Sequence, residues 1–200
     1  MSYFETTKLE NIAGNQINPA TEDTLDDVLT VIEDAVDGTT TALRTVDYAH
    51  HEIHSGSHYF VKNWMDLTNG QVFNFLAVTS NSTSWAHMLF AFSFEAEAHI
   101  NIYEDSVVSA NGTAVTTRNR NRNSNNTSGL LLYHTPTITD VGTEIEAYKV
   151  GSGKGVGGEV RGNAELVLKQ NTNYIIRLTN DTVTNNWVDY LADWYEHTNR

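Results

Sequence analysis

Apolar positions along the chain change period once. Within residues 18–38 they recur at three- and four-residue spacing, at Leu25, Val28, Leu29, Ile32, Ala35 and Val36, which makes one stripe on a helix. Asn18 or Thr21 suits the cap, Pro19 the first turn and Gly38 the left-handed position past the end. From about His51 the pattern becomes strand-like and predicts strands at 58–65, 71–79, 85–94, 98–104, 128–134, 143–150, 159–169, 173–179 and 187–196. Turn-forming clusters such as Thr68-Asn-Gly70, Asn111-Gly112 and Asn180-Asp181 separate them. Many short strands at this spacing predict a mainly β protein, an antiparallel sandwich or barrel, preceded by an N-terminal arm and a short α-helix. Residues 1–50 and 51–200 are the expected domains.

The last strand alternates most clearly. Val188, Tyr190, Ala192 and Trp194 share the face expected to meet the core, opposite Trp187, Asp189, Leu191, Asp193 and Tyr195. Residues 85–94 are apolar almost throughout, which suits a central strand covered on both faces, or one face set against a neighbouring subunit. The helical stripe raises a related question, because one short helix cannot bury itself. It needs a partner from another chain or a larger assembly, or it covers one end of the following domain.

Composition narrows the classes. The chain of 200 residues has no cysteine, so disulfides and thiolate metal sites are excluded. No apolar run is long enough for a membrane-spanning helix, and the start Met1-Ser-Tyr-Phe-Glu5 lacks the pattern of a signal peptide, so use without export by that route is expected. Net charge is −13, of which residues 1–50 hold −8, with ten acidic and two basic side chains. Binding to nucleic acid or an anionic membrane is disfavoured, since both require Lys and Arg to neutralise phosphate. An acidic helix suits a basic partner surface, although solvated helices are often acidic and Glu22 and Asp23 also complement the helix dipole.

Three clusters invite chemistry. His50, His51, His54 and His58 crowd the start of the β region, and with Glu52 they have the residue types of a metal site. Ser55-Gly56-Ser57 breaks the repeat, so the expectation is local packing and no metal. Arg118, Arg120 and Arg122 alternate with asparagine, so an extended chain would put three guanidinium groups on one side, suited to carboxylates of a neighbouring subunit; a solvated loop and contact with RNA or DNA are the alternatives. The segment Gly151-Ser-Gly-Lys-Gly-Val-Gly-Gly158 has neither the spacing nor the following helix of a phosphate loop, and reads as a hairpin tip or a close backbone contact. No nucleophile elbow or zincin motif occurs, so no catalytic residue and no cofactor is expected.

Several stretches together resemble the capsid decoration, cement or head-fibre proteins of tailed phages. They are Gly14-Asn-Gln-Ile17-Asn-Pro19-Ala-Thr-Glu-Asp-Thr-Leu25, His51-Glu-Ile-His-Ser-Gly-Ser-His-Tyr59, Thr117-Arg-Asn-Arg-Asn-Arg-Asn-Ser124, Gly151-Ser-Gly-Lys154, Asn173-Tyr174 and Asp193-Trp-Tyr-Glu-His197. The resemblance implies a non-enzymatic virion protein made in the host cytoplasm, with an arm that docks on the capsid and a trimeric jelly roll that projects from it. Attachment to the major capsid protein or another virion protein would then use Ile17, Pro19, Leu25, Val28, Leu29 and Ile32, and the homotrimer contact Arg118, Arg120 and Arg122. The rival reading is a carbohydrate- or receptor-binding module, with a glycan stacked on exposed Trp64 or Trp187. A third is a metal-dependent sandwich enzyme built on the histidine cluster.

Overall fold

The period-two alternation becomes two antiparallel sheets that face each other. A computed structural model describes residues 30, 48–82, 84–151, 159–161 and 165–198. The predicted N-terminal helix, and with it Ile17, Pro19, Leu25, Val28, Leu29 and Ile32, lies outside these residues except for Thr30, which is helical and exposed. Contacts divide the chain into two compact units, Met1–Val46 and Asp47–Arg200, and the second is described below.

This unit begins with helix α1 (Tyr48–Ser55). Strands β1 (His58–Leu67), β2 (Val72–Val78), β3 (Ser84–Phe94) and β4 (Ala98–Glu104) follow. Between β4 and β10 (Thr143–Val150) runs an excursion of short strands, β5 (Val107–Ala110), β6 (Thr113–Ala114), β7 (Arg118–Asn119), β8 (Leu131–His134) and β9 (Thr137–Asp140). The chain ends through β11 (Glu159–Arg161), β12 (Leu166–Val167), β13 (Asn173–Asn180) and β14 (Asn186–Thr198).

One sheet has the order β11-β3-β14-β1-β7, with β12 also on β3, and the other has the order β10-β4-β13-β2-β8-β6. Leaving out the excursion, this is jelly-roll connectivity: the first and last strands pair in one sheet, and the second and second-to-last pair in the other. The excursion extends both sheets at the same side, β7 pairing with β1 and β8 with β2. Of its strands, β8 lies within the predicted strand at 128–134, whereas β5, β6, β7 and β9 escape the sequence pattern because they are too short to show alternation. The predicted strand at 159–169 is in fact the separate β11 and β12, both on β3.

The core lies between the sheets. Val188, Tyr190, Ala192 and Trp194 are buried on the inner face of β14, as their alternation predicts. They meet Tyr59 and Val61 of β1, Met88, Phe92 and Phe94 of β3, and Ile100, Ile102, Ile176 and Leu178 of the opposite sheet in one apolar cluster. Phe75 and Tyr190 touch across the two sheets with ring centroids 4.6 Å apart. On β3 only the inner set is deeply buried, and outward-facing Leu89 is 37% exposed.

Candidate functional site

The residue types singled out by sequence converge where the chain enters the sandwich. Helix α1 carries His50, His51 and His54 and ends at Ser55, where Ser55-Gly56-Ser57 breaks the repeat before His58 enters β1. Gly56 is the reason: at φ 77° it is the left-handed residue just past the helix end. Its N–H donates to Ile53 O at 3.1 Å and the Ser57 N–H to Glu52 O at 3.0 Å, the paired bonds of a Schellman cap. The Glu52 side chain is buried and accepts from the Ser55 and Ser57 hydroxyls.

This cap is gripped by the Arg-Asn loop. Asn119 and Asn126 both donate side-chain N–H groups to the Gly56 carbonyl, at 2.8 and 3.2 Å, and Asn121 donates to His54 O at 3.2 Å. A Cβ at Gly56 would lie 2.4 Å from Ser124 Oγ, so the close approach of loop and cap also requires glycine. The backbone N–H of Arg120 donates to His58 O at 2.8 Å, which joins the loop to β1.

The predicted row of three arginines on one side does not form. The strand ends at Asn119, because its side-chain oxygen accepts the Asn121 N–H at 2.8 Å and turns the chain. Arg118 is left exposed, and Arg122 donates to Asn119 O at 3.2 Å. Arg120 finds its carboxylate inside its own chain: it grips Asp193 of β14 through two bonds of 2.8 and 2.6 Å and lies over the Phe60 ring at 4.8 Å. The assignment of Arg120 to a neighbouring subunit's acid is corrected accordingly, since β1 and β14 are paired and bring Asp193 within reach.

His58 completes the junction. Buried to 7% exposure, it meets Asp193 at 2.9 Å through Nε2 and the Ala49 carbonyl at 3.3 Å through Nδ1. Burial alone would raise the Asp193 pKa, but the bonds from His58 and Arg120 outweigh it and hold the carboxyl below its ordinary value. The histidine repeat is therefore split: His50 and His54 face each other on α1 at 3.1 Å, while His58 belongs to the sheet. Among the described residues no group of three or more metal-ligating side chains converges.

Glu196, two residues beyond Trp194, holds the other side of the loop. Its carboxylate accepts from Ser128 Oγ at 2.6 Å, Gly129 N at 2.9 Å, Leu130 N at 3.1 Å and Trp194 Nε1 at 3.1 Å. Neither Asp193 nor Glu196 stands out as a site residue by composition. The signal was available in the register, since alternation along β14 puts Asp193 on the outer face beside the entry strand. The junction's polar groups satisfy one another and clasp the helix cap, the Arg-Asn loop and β14 together.

A second patch lies further along the same outer face. Register sets Trp64 opposite Asp189 and Asp66 opposite Trp187, so the two indoles are diagonal neighbours flanked by two carboxylates. Trp64 is 64% and Trp187 41% exposed. The glycine-rich segment is described only at Gly151, and its remainder lies outside the described residues. No helix among the described residues is long and apolar enough to cross a membrane. No protein-family model matches the sequence, and no curated protein matches it either.

Proposed function

We propose that the protein is a structural, non-enzymatic component of a tailed-phage particle that decorates or stabilises the capsid surface as a homotrimer. In this reading residues 1–50 attach to the major capsid protein or another virion protein, and the jelly roll is displayed. One observation carries it: stretches that resemble decoration proteins, residues 51–59, 117–124 and 193–197, are far apart in sequence yet interlock through Gly56, Asn119, Arg120, His58 and Asp193. Shared composition alone would not require such contacts. The clasp holds the outgoing chain at a set position on the sandwich, as a displayed domain needs.

Particles assembled with a protein lacking residues 1–46 test the proposal. Loss of the protein from purified particles, with the truncated form soluble and folded, is the expected result; normal occupancy overturns it. The patch of Trp64, Trp187, Asp66 and Asp189 favours a second reading as a glycan-binding module, because indoles stack on sugar rings and carboxylates accept their hydroxyls. Saccharide binding lost in Trp64→Ala, with particle occupancy unchanged, would give the display a receptor role.

A further inference from the structure

The outer face of the first sheet holds a second histidine pair, outside the junction. His87 of β3 and His197 of β14 lie diagonally across the β3–β14 ladder, where His87 pairs with Tyr195 and His197 with Trp85. Both rings have assigned partners on Nδ1. His87 Nδ1 lies 3.2 Å from the Glu165 carboxylate, and His197 Nδ1 lies 2.8 Å from the Thr198 carbonyl. A carbonyl and a carboxylate accept, so these contacts suit the tautomer with the hydrogen of each ring on Nδ1, which turns an Nε2 lone pair of each toward the other. The two Nε2 atoms are 2.8 Å apart. With the hydrogens so placed, the two Nε2 atoms at that distance need a shared proton or a metal cation between them.

The surroundings keep His87 in this arrangement. The Tyr195 hydroxyl donates to the same Glu165 oxygen at 2.6 Å, and the Tyr195 ring stacks on His87 with centroids 4.7 Å apart and planes 14° from parallel. The His87 and His197 centroids are only 4.4 Å apart, too close for a head-on meeting through Nε2, so each nitrogen is inclined to the line between the rings. Imidazoles whose ring N–H is held by a carboxylate or backbone carbonyl, with the other nitrogen exposed, are the usual form of metal-binding histidine.

We propose that His87 and His197 form a two-histidine site for a late divalent transition-metal ion, with Cu²⁺ or Ni²⁺ preferred over Zn²⁺ and water completing the coordination. Distance decides the preference. Imidazole nitrogens sit about 2.0–2.1 Å from such an ion, so two ligands at a right angle are about 2.9 Å apart, whereas those of a tetrahedral zinc site are about 3.3 Å apart. The observed 2.8 Å matches the right-angled, tetragonal case. Glu165 is a positioning residue that orients the His87 ring.

The test uses the full chain carrying His50→Gln and His54→Gln, which removes the other close pair. Calorimetric titration with CuCl₂ should give one equivalent per chain, and the electron paramagnetic resonance spectrum should show nitrogen ligation. Adding His87→Gln or His197→Gln should weaken binding at least a hundredfold, and Glu165→Gln about 10–100-fold, without a change in metal-free melting temperature. In the unsubstituted protein, trace Cu²⁺ should broaden the ring resonances of His87 and His197 in NMR spectra, a reading independent of any variant. Absence of binding in the parent, retention of full affinity in both histidine variants, or unbroadened His87 and His197 resonances would each overturn the site and leave the rings sharing a proton only.

Discussion

Gly56 does two things that no other residue can do together: it turns the chain at φ 77° and lets Ser124 and the Asn119 amide close over it. Gly56→Ala combines a left-handed alanine, which costs about 1–2 kcal/mol, with a steric conflict that moves the loop. A loss of roughly 2–3 kcal/mol in urea denaturation is expected, with an unchanged denaturant slope. Asp193 makes a different contribution. Its folded-state pKa is below the unfolded value of about 3.9, so its stabilisation is complete above that value and disappears as pH falls through the lower, folded pKa. Asp193→Asn should therefore lower stability at pH 7, by about 3 kcal/mol if His58 and Arg120 are left facing an amide, and flatten the acid limb of a stability profile below about pH 5. An acid limb identical to that of the unsubstituted protein would show that other carboxylates dominate it.

Strand β14 is the element on which the sandwich is organised. It pairs with β1 along the whole length of that strand and with β3 on its other side, and its inner face supplies Trp194, among the largest fully buried side chains. Its outer face and C-terminal part supply the clasp through Asp193 and Glu196. Hydrogen bonds to a charged group are worth about 1.5–3 kcal/mol each, but one carboxylate serving a whole loop is not the sum of its bonds. Glu196→Gln keeps the shape and replaces one acceptor oxygen by a donor, which conflicts either with the Gly129 N–H or with the N–H groups of Leu130 and Trp194, according to which oxygen is replaced. We expect a loss of about 2 kcal/mol. Hydrogen exchange should show it as faster exchange at Gly129 and Leu130, while the paired amides of β13 and β14 stay protected.

For the molecule as a whole, the unit Asp47–Arg200 has its own core and its own capped first helix. Removal of residues 1–46 should leave its melting temperature within a few degrees of the full chain, whereas a cut after His50 removes part of α1, including the Ala49 carbonyl that His58 engages. Thermal unfolding of the two truncated proteins checks this, and a large drop for the longer form would mean that residues 1–46 contribute to the core. Sedimentation at several concentrations tests the proposed trimer. With Arg120 paired inside the chain, Arg118→Ala is the variant to compare, and an unchanged association state would place that side chain in solvent.

Local patterns in the sequence carry the β content and the inner face of β14, because a period of two along a half-buried strand records burial residue by residue. Ala98–Glu104 and Thr143–Val150 also match their expected strands. The helix through His50 and His54 was harder to see, because Gly56 looks like a breaker when its role is to cap. The arginine repeat misled for a related reason: alternation predicts a shared side only while the chain stays extended, and the Asn119 side chain ends the strand. The pairing of Arg120 with Asp193, the Trp64–Trp187 patch and the approach of His87 to His197 depend on which strands become neighbours and in what register. That is a property of the closed jelly roll, set by burying the apolar faces of all its strands at once, and no local window of sequence contains it.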